Sequence, residues 1–326
     1  MKVLGDGYVH IYKDIDECPH EPDSERLWQE SVAFFFWDTE QQVYVFLRLS
    51  QEPNRDKGYT TVWLNAWTPE FTYKHTDDSV PMNTGDRTTK ALTSGEGLCR
   101  YEFDGQHNWA VNDKDVQIQL CMKDYHPGFG YWPKSAGSLV DEAGKNHIEA
   151  TGWATGSVTV KGKTYKVGGT AWRDHSWGKR NWAGFRAHRF YSALFGKEFN
   201  LFAITFIGAD GKMAKLGTVI RGDTIETAND FTIVAYVGED GVSNCGGNLT
   251  LRLNGETHVF EFKPVGKSVI SLHQGTPVCD GLCKVTTGDK TGVGISETSH
   301  RAQGGTDKPN VYRHSAGILE NGLYPN

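Results

Sequence analysis

The sequence predicts an all-β chain arranged as two consecutive antiparallel barrel or sandwich domains, and three observations carry that reading. Short runs of alternating apolar and polar residues are joined by glycine- or Asx-containing turns, the pattern of β-hairpins. Helical periodicity is scarce along the chain, which leaves few segments for anything but strands. At 326 residues, the length calls for two domains or one large barrel.

The first hairpin is read at Ser31–Trp37 and Val43–Leu49, around the turn 38–42. Its strands are almost continuously apolar, as expected where both faces are covered. Residues 157–167 form a cleaner hairpin that turns at Lys161-Gly162, with Val158, Val160, Tyr165 and Val167 as its apolar positions. Residues 200–207 and 213–221 make another, around 209–212. Leu249, Leu251 and Leu253 alternate up to Asn254-Gly255, a dipeptide suited to a type I′ turn, and Phe260 and Phe262 return on the partner strand. Only Ser24–Glu30 and Thr88–Thr93 read as short helical turns. Residues 50–60, 74–97 and 264–310 are rich in Gly, Asn, Asp, Thr and Pro and read as long loops. The junction is expected within Phe185–Phe199, giving domains 1–190 and 191–326.

Composition excludes several classes of function. With 34 basic and 40 acidic residues and a net charge of −6, the chain lacks the basic footprint of a nucleic-acid binder. No run of about 18 apolar residues suggests a membrane span, and the start has no charged leader followed by an apolar stretch, so a cytoplasmic protein is expected. The six scattered cysteines are expected to be reduced, and Cys279 and Cys283 match neither a redox turn nor a zinc knuckle. There is no nucleophile elbow, phosphate loop, H-E-x-x-H or dinucleotide fingerprint. Serine hydrolases, ATPases and NAD-dependent dehydrogenases are thereby disfavoured.

Residues 146–182 concentrate groups that exchange protons among aromatic rings: His147-x-Glu149, Trp153, then Trp172-Arg173-Asp174-His175-Ser176-Trp177-Gly178, Arg180 and Trp182. This stretch, with the Phe34-Phe-Phe-Trp-Asp38 hairpin, resembles the two-domain lipocalin-like (calycin-like) family that includes carotenoid 1,2-hydratases, AttH-like proteins and kievitone hydratase; fungal Diels–Alderases share the scaffold more distantly. The resemblance implies two lipocalin-like β domains, a ligand cavity, and a cofactor-free reaction on an apolar, often isoprenoid, small molecule.

Hydrating an alkene, or dehydrating an alcohol, needs a proton donor, shelter for a cation, and a base beside a placed water. Asp174 or Glu149, desolvated against Trp153, Trp172 and Trp177, suits the acid. His175, paired with Asp174 or Glu149, suits either proton role, and His147 lies on the face of Glu149. Tryptophan faces stabilise a nearby cation. Trp182, Tyr191 and His188 are further substrate-binding candidates, and His126 is a weaker one. Arg173 and Arg180 are read as structural or electrostatic groups, with a buried ion network locking the two domains as the competing reading of Arg173-Asp174 and Arg180. His147, Glu149 and His175 together suggest a metal site only weakly, and no metal is expected. The leading expectation is therefore a hydratase or dehydratase, the alternatives being a non-catalytic lipid- or terpenoid-binding protein and a cyclase or pericyclase.

Overall fold

The computed structural model of the chain describes residues 1–5, 9–130, 146–208, 213–238, 242–274, 276–300 and 318–320. It is all-β, its described helical segments being short 3-10 turns such as Asp14–Glu17. Two compact units divide the chain, with the main break between Arg180 and Asn181.

The first unit holds His10–Gly130 and the segment ending at Arg180. Its sheet runs, neighbour by neighbour, through Thr72–Pro81, Tyr59–Trp67, Val43–Glu52, Trp28–Asp38, Lys163–Lys179, Asn146–Val160, Val116–Asp124, His107–Asn112, Cys99–Phe103 and Ala91–Ser94. The sheet curls until its two ends approach: Thr60 near one end hydrogen-bonds Ser94 at the other. Residues from both ends, among them Val62, Leu64, Leu92 and Cys99, share a single core with Phe34, Phe36, Leu47, Trp109 and Ile118. The product is a near-closed barrel whose lining comes from alternate residues of every strand.

Curling brings neighbouring backbones close at particular glycines. A Cβ on Gly169 would lie 2.0 Å from the Trp37 carbonyl oxygen. Gly169→Ala is expected to destabilise the protein by about 1–3 kcal/mol, read as a lowered urea midpoint, because a backbone atom has no rotamer into which to retreat. Gly168→Ala, whose Cβ would meet nothing closer than 3.6 Å, serves as the control.

In the second unit, Thr224–Thr227, Met213–Arg221, Phe199–Gly208, Phe185–Leu194, Lys290–His300, Thr276–Thr287, Glu256–Pro264, Asn244–Leu253 and Phe231–Val237 follow one another in the sheet. Tyr191, Leu201, Phe231, Leu249, Phe260 and Val285 form its core. The strand Phe185–Leu194 pairs along its length with Phe199–Gly208 and Lys290–His300, so position 190/191 lies inside an element of this sheet.

All four expected hairpins are present, the 209–212 turn itself lying outside the described residues. Lys161-Gly162 and Asn254-Gly255 take the positive φ angles that their turns require. Two expectations are corrected. Neither expected helix forms, since the strands Trp28–Asp38 and Ala91–Ser94 occupy parts of those segments. Much of 74–97 is strand, through Thr72–Pro81 and Ala91–Ser94, and so is much of 264–310, namely Val269–His273, Thr276–Thr287 and Lys290–His300. The glycines of the latter mark close strand approach rather than loops: a Cβ on Gly292 or Gly294 would meet the carbonyl oxygen of Leu194 or Ser192 at 2.3 and 2.0 Å. All six cysteines are free thiols. No helix among the described residues is long and apolar enough to cross a membrane.

Candidate active site

Strand geometry divides the ionisable motif in two. Along Lys163–Lys179, successive side chains point to opposite faces. Tyr165, Val167 and Ala171 line the core, so Arg173, His175 and Trp177 share the barrel interior. Trp172, Asp174 and Ser176 take the outer face. Asp174 therefore cannot pair with His175, and neither can Glu149, which stands opposite Asp174 on the neighbouring strand.

Inside the barrel, the buried Arg173 donates to both oxygens of Glu17 at 2.8 and 2.7 Å and to Asp124 at 3.2 and 2.5 Å. His175 Nε2 is 2.8 Å from Glu30 Oε1, which His20 Nδ1 also reaches at 2.8 Å. Arg87 donates to the other Glu30 oxygen. His107 joins the group between Asp124, at 3.3 Å, and the Tyr101 hydroxyl, at 3.0 Å. His175 Nδ1 stands 3.9 Å from Glu17, beyond hydrogen-bonding distance, so that carboxylate acts on it through charge.

Burial alone would push these groups toward neutrality, but their mutual charges prevail. Burial raises the Glu17 carboxyl, yet Arg173 and then His175 hold it down at about 2. Burial lowers the His175 imidazolium, yet Glu17 and Glu30 lift it to about 9. Glu30 and Asp124 also end below the ordinary carboxylate range despite burial, Glu30 through His175, His20 and Arg87, and Asp124 through Arg173 and His107. The cations Arg87, Arg173 and His175 thus balance the anions Glu17, Glu30 and Asp124.

A pH dependence follows from these shifts. The His175 pKa is raised on folding, so its stabilisation is complete below its ordinary 6.5 and lost as pH rises through about 9. The Glu17 pKa is lowered, so its stabilisation is complete above its ordinary 4.5 and lost as pH falls toward about 2. Urea midpoints are expected to decline on both sides of pH 4.5–6.5, and His175→Gln should flatten the alkaline limb.

The outer face is ordered in rows across the strands. One row runs His147, Ser176, Ser31, Ser50, Thr61; the next runs Glu149, Asp174, Ala33, Arg48, Trp63; a third runs Thr151, Trp172, Phe35, Phe46, Asn65. A fourth holds Trp153, Thr170, Trp37, Tyr44 and Trp67. A hydroxyl row, an ionisable row and two largely aromatic rows therefore lie side by side. Phe35 stacks on Phe46 at 4.1 Å and meets Trp172 edge-on at 5.0 Å. His147 Nε2 is 2.7 Å from Glu149 Oε1, and Arg180 donates to Ser176. Asp174 is half-buried; its Oδ1 atom is buried and has no hydrogen-bond partner among the described residues. A buried polar atom in that condition is costly unless something else satisfies it.

The predicted residues thus fall into three places. His147, Glu149, Trp153, Trp172, Asp174 and Arg180 belong to the outer-face strands or the segment directly following them, Trp153 being 47% exposed. Arg173, His175 and Trp177 are interior, with Trp177 stacked on His20 at 3.7 Å. Trp182, His188 and Tyr191 belong to the second unit, where His188 bonds Glu297 and Ser299, Trp182 stacks on His273, and Tyr191 donates to the Gly246 carbonyl. His126 is buried in the first unit.

Two expected groupings are corrected by this placement. Arg173 is tied to Glu17 and Asp124 rather than to Asp174. The metal set His147, Glu149 and His175 is split between two faces. Two interior groups bring ligand-type atoms within 4.8 Å of one another: His20, Glu30 and His175, and Glu17, His107 and Asp124. In both, arginine already supplies the countercharge, Arg87 on Glu30 and Arg173 on Glu17 and Asp124.

Comparison with known proteins follows from the fold. No curated protein matches the chain. Among solved structures it is similar to AttH (NE1406) from Nitrosomonas europaea, with a TM-score of 0.65 at 13% identity over 91% of this chain and 98% of that one. It is also similar to CghA with Sch210972, TM-score 0.58 at 12% identity over 84% and 88% of the two chains. For kievitone hydratase from Nectria haematococca the values are 0.56 and 13%, over 83% and 87%. At such identities these likenesses establish the fold. A family model covers residues 13–302, and the chain belongs to that family, described as a domain of unknown function, DUF7064.

Proposed function

We propose that this protein is a hydro-lyase, adding water to or removing it from an apolar isoprenoid alkene or alcohol held against the outer face of the first sheet, by side-chain acid–base chemistry in the cytoplasm. The observation that carries the reading is the opposition of Asp174 and Glu149 in register, with His147 bonded to Glu149, at the border of the aromatic rows. In the dehydrating direction, Asp174 passes a proton to the leaving hydroxyl, the C–O bond breaks and water departs. Trp172 and Phe35, in edge contact with each other, would supply the ring density that stabilises the resulting cation. His147 then takes the proton from the adjacent carbon, and Glu149 stabilises the imidazolium so formed. The proton that His147 takes is released to solvent and Asp174 regains one from it, so each turnover removes one water and restores both side chains; hydration is the same path reversed.

The likeness to kievitone hydratase, a hydratase by name, agrees with this chemistry. The interior cluster is assigned no step, because each of its carboxylates is bonded to a guanidinium. Incubating the protein with monoterpene and longer isoprenoid alcohols and alkenes in ¹⁸O-labelled water tests the reading. Incorporation of label into alcohol, or loss of water to give alkene, is expected; tight binding with every ligand recovered at unchanged mass would replace it with a carrier function.

A further inference from the structure

Another part of the first sheet's outer face, over the strands Cys99–Phe103, His107–Asn112, Val116–Asp124 and Asn146–Val160, is open to solvent and takes no part in the proposed reaction. Two rows of outward residues cross it in register: Glu102, Asn108, Cys121, Thr155 and Gly168, and beside them Arg100, Ala110, Gln119, Ser157 and Lys166. Members of both rows line an open groove of about 500 Å³, a size common among small-molecule sites, about 300–1,000 Å³. Ala110 and Gly156 contribute no more than a methyl group to its lining, while Arg100, Glu102, Asn108, Gln119 and Thr155 surround the space with polar groups.

Those groups are accessible and only partly used. Arg100 and Glu102 pair at 3.0 Å with side chains 42% and 36% exposed, so the groove holds one charge of each sign. The Asn108 amide nitrogen donates to Asp104 and Gln106, which leaves its oxygen to accept. The side-chain amide of Gln119 and the hydroxyl of Thr155 are exposed and make no hydrogen bond to another described residue. At the Thr155 end, the ring of Trp153 lies over Gly168: a Cβ on that glycine would be 3.6 Å from Trp153 Cζ2 and 3.7 Å from both Trp153 Nε1 and the Thr155 methyl. Trp153 is 47% exposed, and among the described residues no other Phe, Tyr or Trp is exposed.

Together these features select a class of ligand. A phosphate or carboxylate calls for an excess of cations, which an Arg–Glu pair does not give. An apolar molecule would cover the amides without satisfying them. A neutral sugar meets both conditions, because each hydroxyl donates and accepts, as amides and an Arg–Glu pair do, while the C–H face of its ring packs on an indole. We infer that this groove binds a neutral saccharide of at least two linked pyranose rings, one seated on Trp153 and the next hydrogen-bonded by Gln119, Asn108 and Arg100. The length follows from the register: Asn108 stands two strand spacings, about 10 Å, from Thr155, a span for two rings rather than one. The site does not depend on the hydro-lyase reading.

Saturation-transfer-difference NMR titration of the full chain tests it, with maltose, cellobiose and lactose as disaccharides, methyl glucoside as the single ring and glucose 6-phosphate as the charged probe. At least one disaccharide is expected to bind with a Kd of about 1 mM or tighter, and at least about tenfold more tightly than methyl glucoside. Trp153→Ala should weaken that binding at least about tenfold, and Gln119→Ala about three- to tenfold, the effect of one hydrogen bond. Both side chains are exposed, so both variants should keep the wild-type urea midpoint; if one fails to fold, the other still decides. No disaccharide binding at about 10 mM, equal affinity for one ring and two, tighter binding of glucose 6-phosphate than of every disaccharide, or unchanged affinity in a folded Trp153→Ala or Gln119→Ala would overturn the inference.

Discussion

Arg173→Met is expected to destabilise the protein by about 3–5 kcal/mol, the cost of leaving buried carboxylates without their cation. The side chain is 2% exposed and satisfies Glu17 and Asp124 together. Methionine fills much of the same volume, so the loss measures charge rather than a cavity. Urea unfolding of the single variant, and of Arg173→Met combined with Glu17→Gln and Asp124→Asn, checks the cause. The combined variant should recover a large part of the loss, because groups in one network do not act additively. No recovery would mean that packing, not charge balance, is the main contribution of Arg173.

The second large effect is expected in activity. Asp174→Asn should lower turnover about 10²–10⁴-fold, the usual contribution of a positioned proton donor. Its stability should change by less than about 0.5 kcal/mol, since the residue is half-buried and one of its oxygens has no hydrogen bond to lose. Asparagine keeps the shape of aspartate and removes the proton that can be transferred. Single-turnover rates with the isoprenoid set, measured beside near-ultraviolet circular dichroism, separate lost chemistry from lost structure.

Much of this arrangement was legible in the sequence. Alternation and turn residues located the hairpins, and two-residue spacing placed His147 with Glu149. The same rule, applied to Trp172-Arg173-Asp174-His175, puts Asp174 and His175 on opposite faces of their strand. The interior cluster also left a trace. Inward-facing apolar series end in ionisable residues: Phe36, Phe34 and Val32 lead to Glu30; Ile118, Leu120 and Met122 to Asp124; Val111 and Trp109 to His107; Ala171 to Arg173 and His175. Read strand by strand, each looks like an apolar run that stops; only their alignment across the sheet shows a shared polar end. Glu17 and His20 were less accessible to such reasoning, because they reach the barrel from the segment around the Asp14–Glu17 turn, where no periodicity fixes direction. The strands within 264–300 were obscured by glycines that read as turn signals but serve close backbone approach.

On the proposed reading the two faces of one strand divide the work, the interior Arg173 and His175 holding the barrel and the outer Asp174 acting on the substrate. Turnover in ¹⁸O-labelled water, normalised to folded protein at pH 6, compares Asp174→Asn with His175→Gln most directly. The proposed function predicts that His175→Gln, though less stable, keeps activity within about tenfold of the wild type while Asp174→Asn, fully folded, incorporates no label above background. An active Asp174→Asn beside an inactive, folded His175→Gln would contradict that division and move the chemistry inside the barrel.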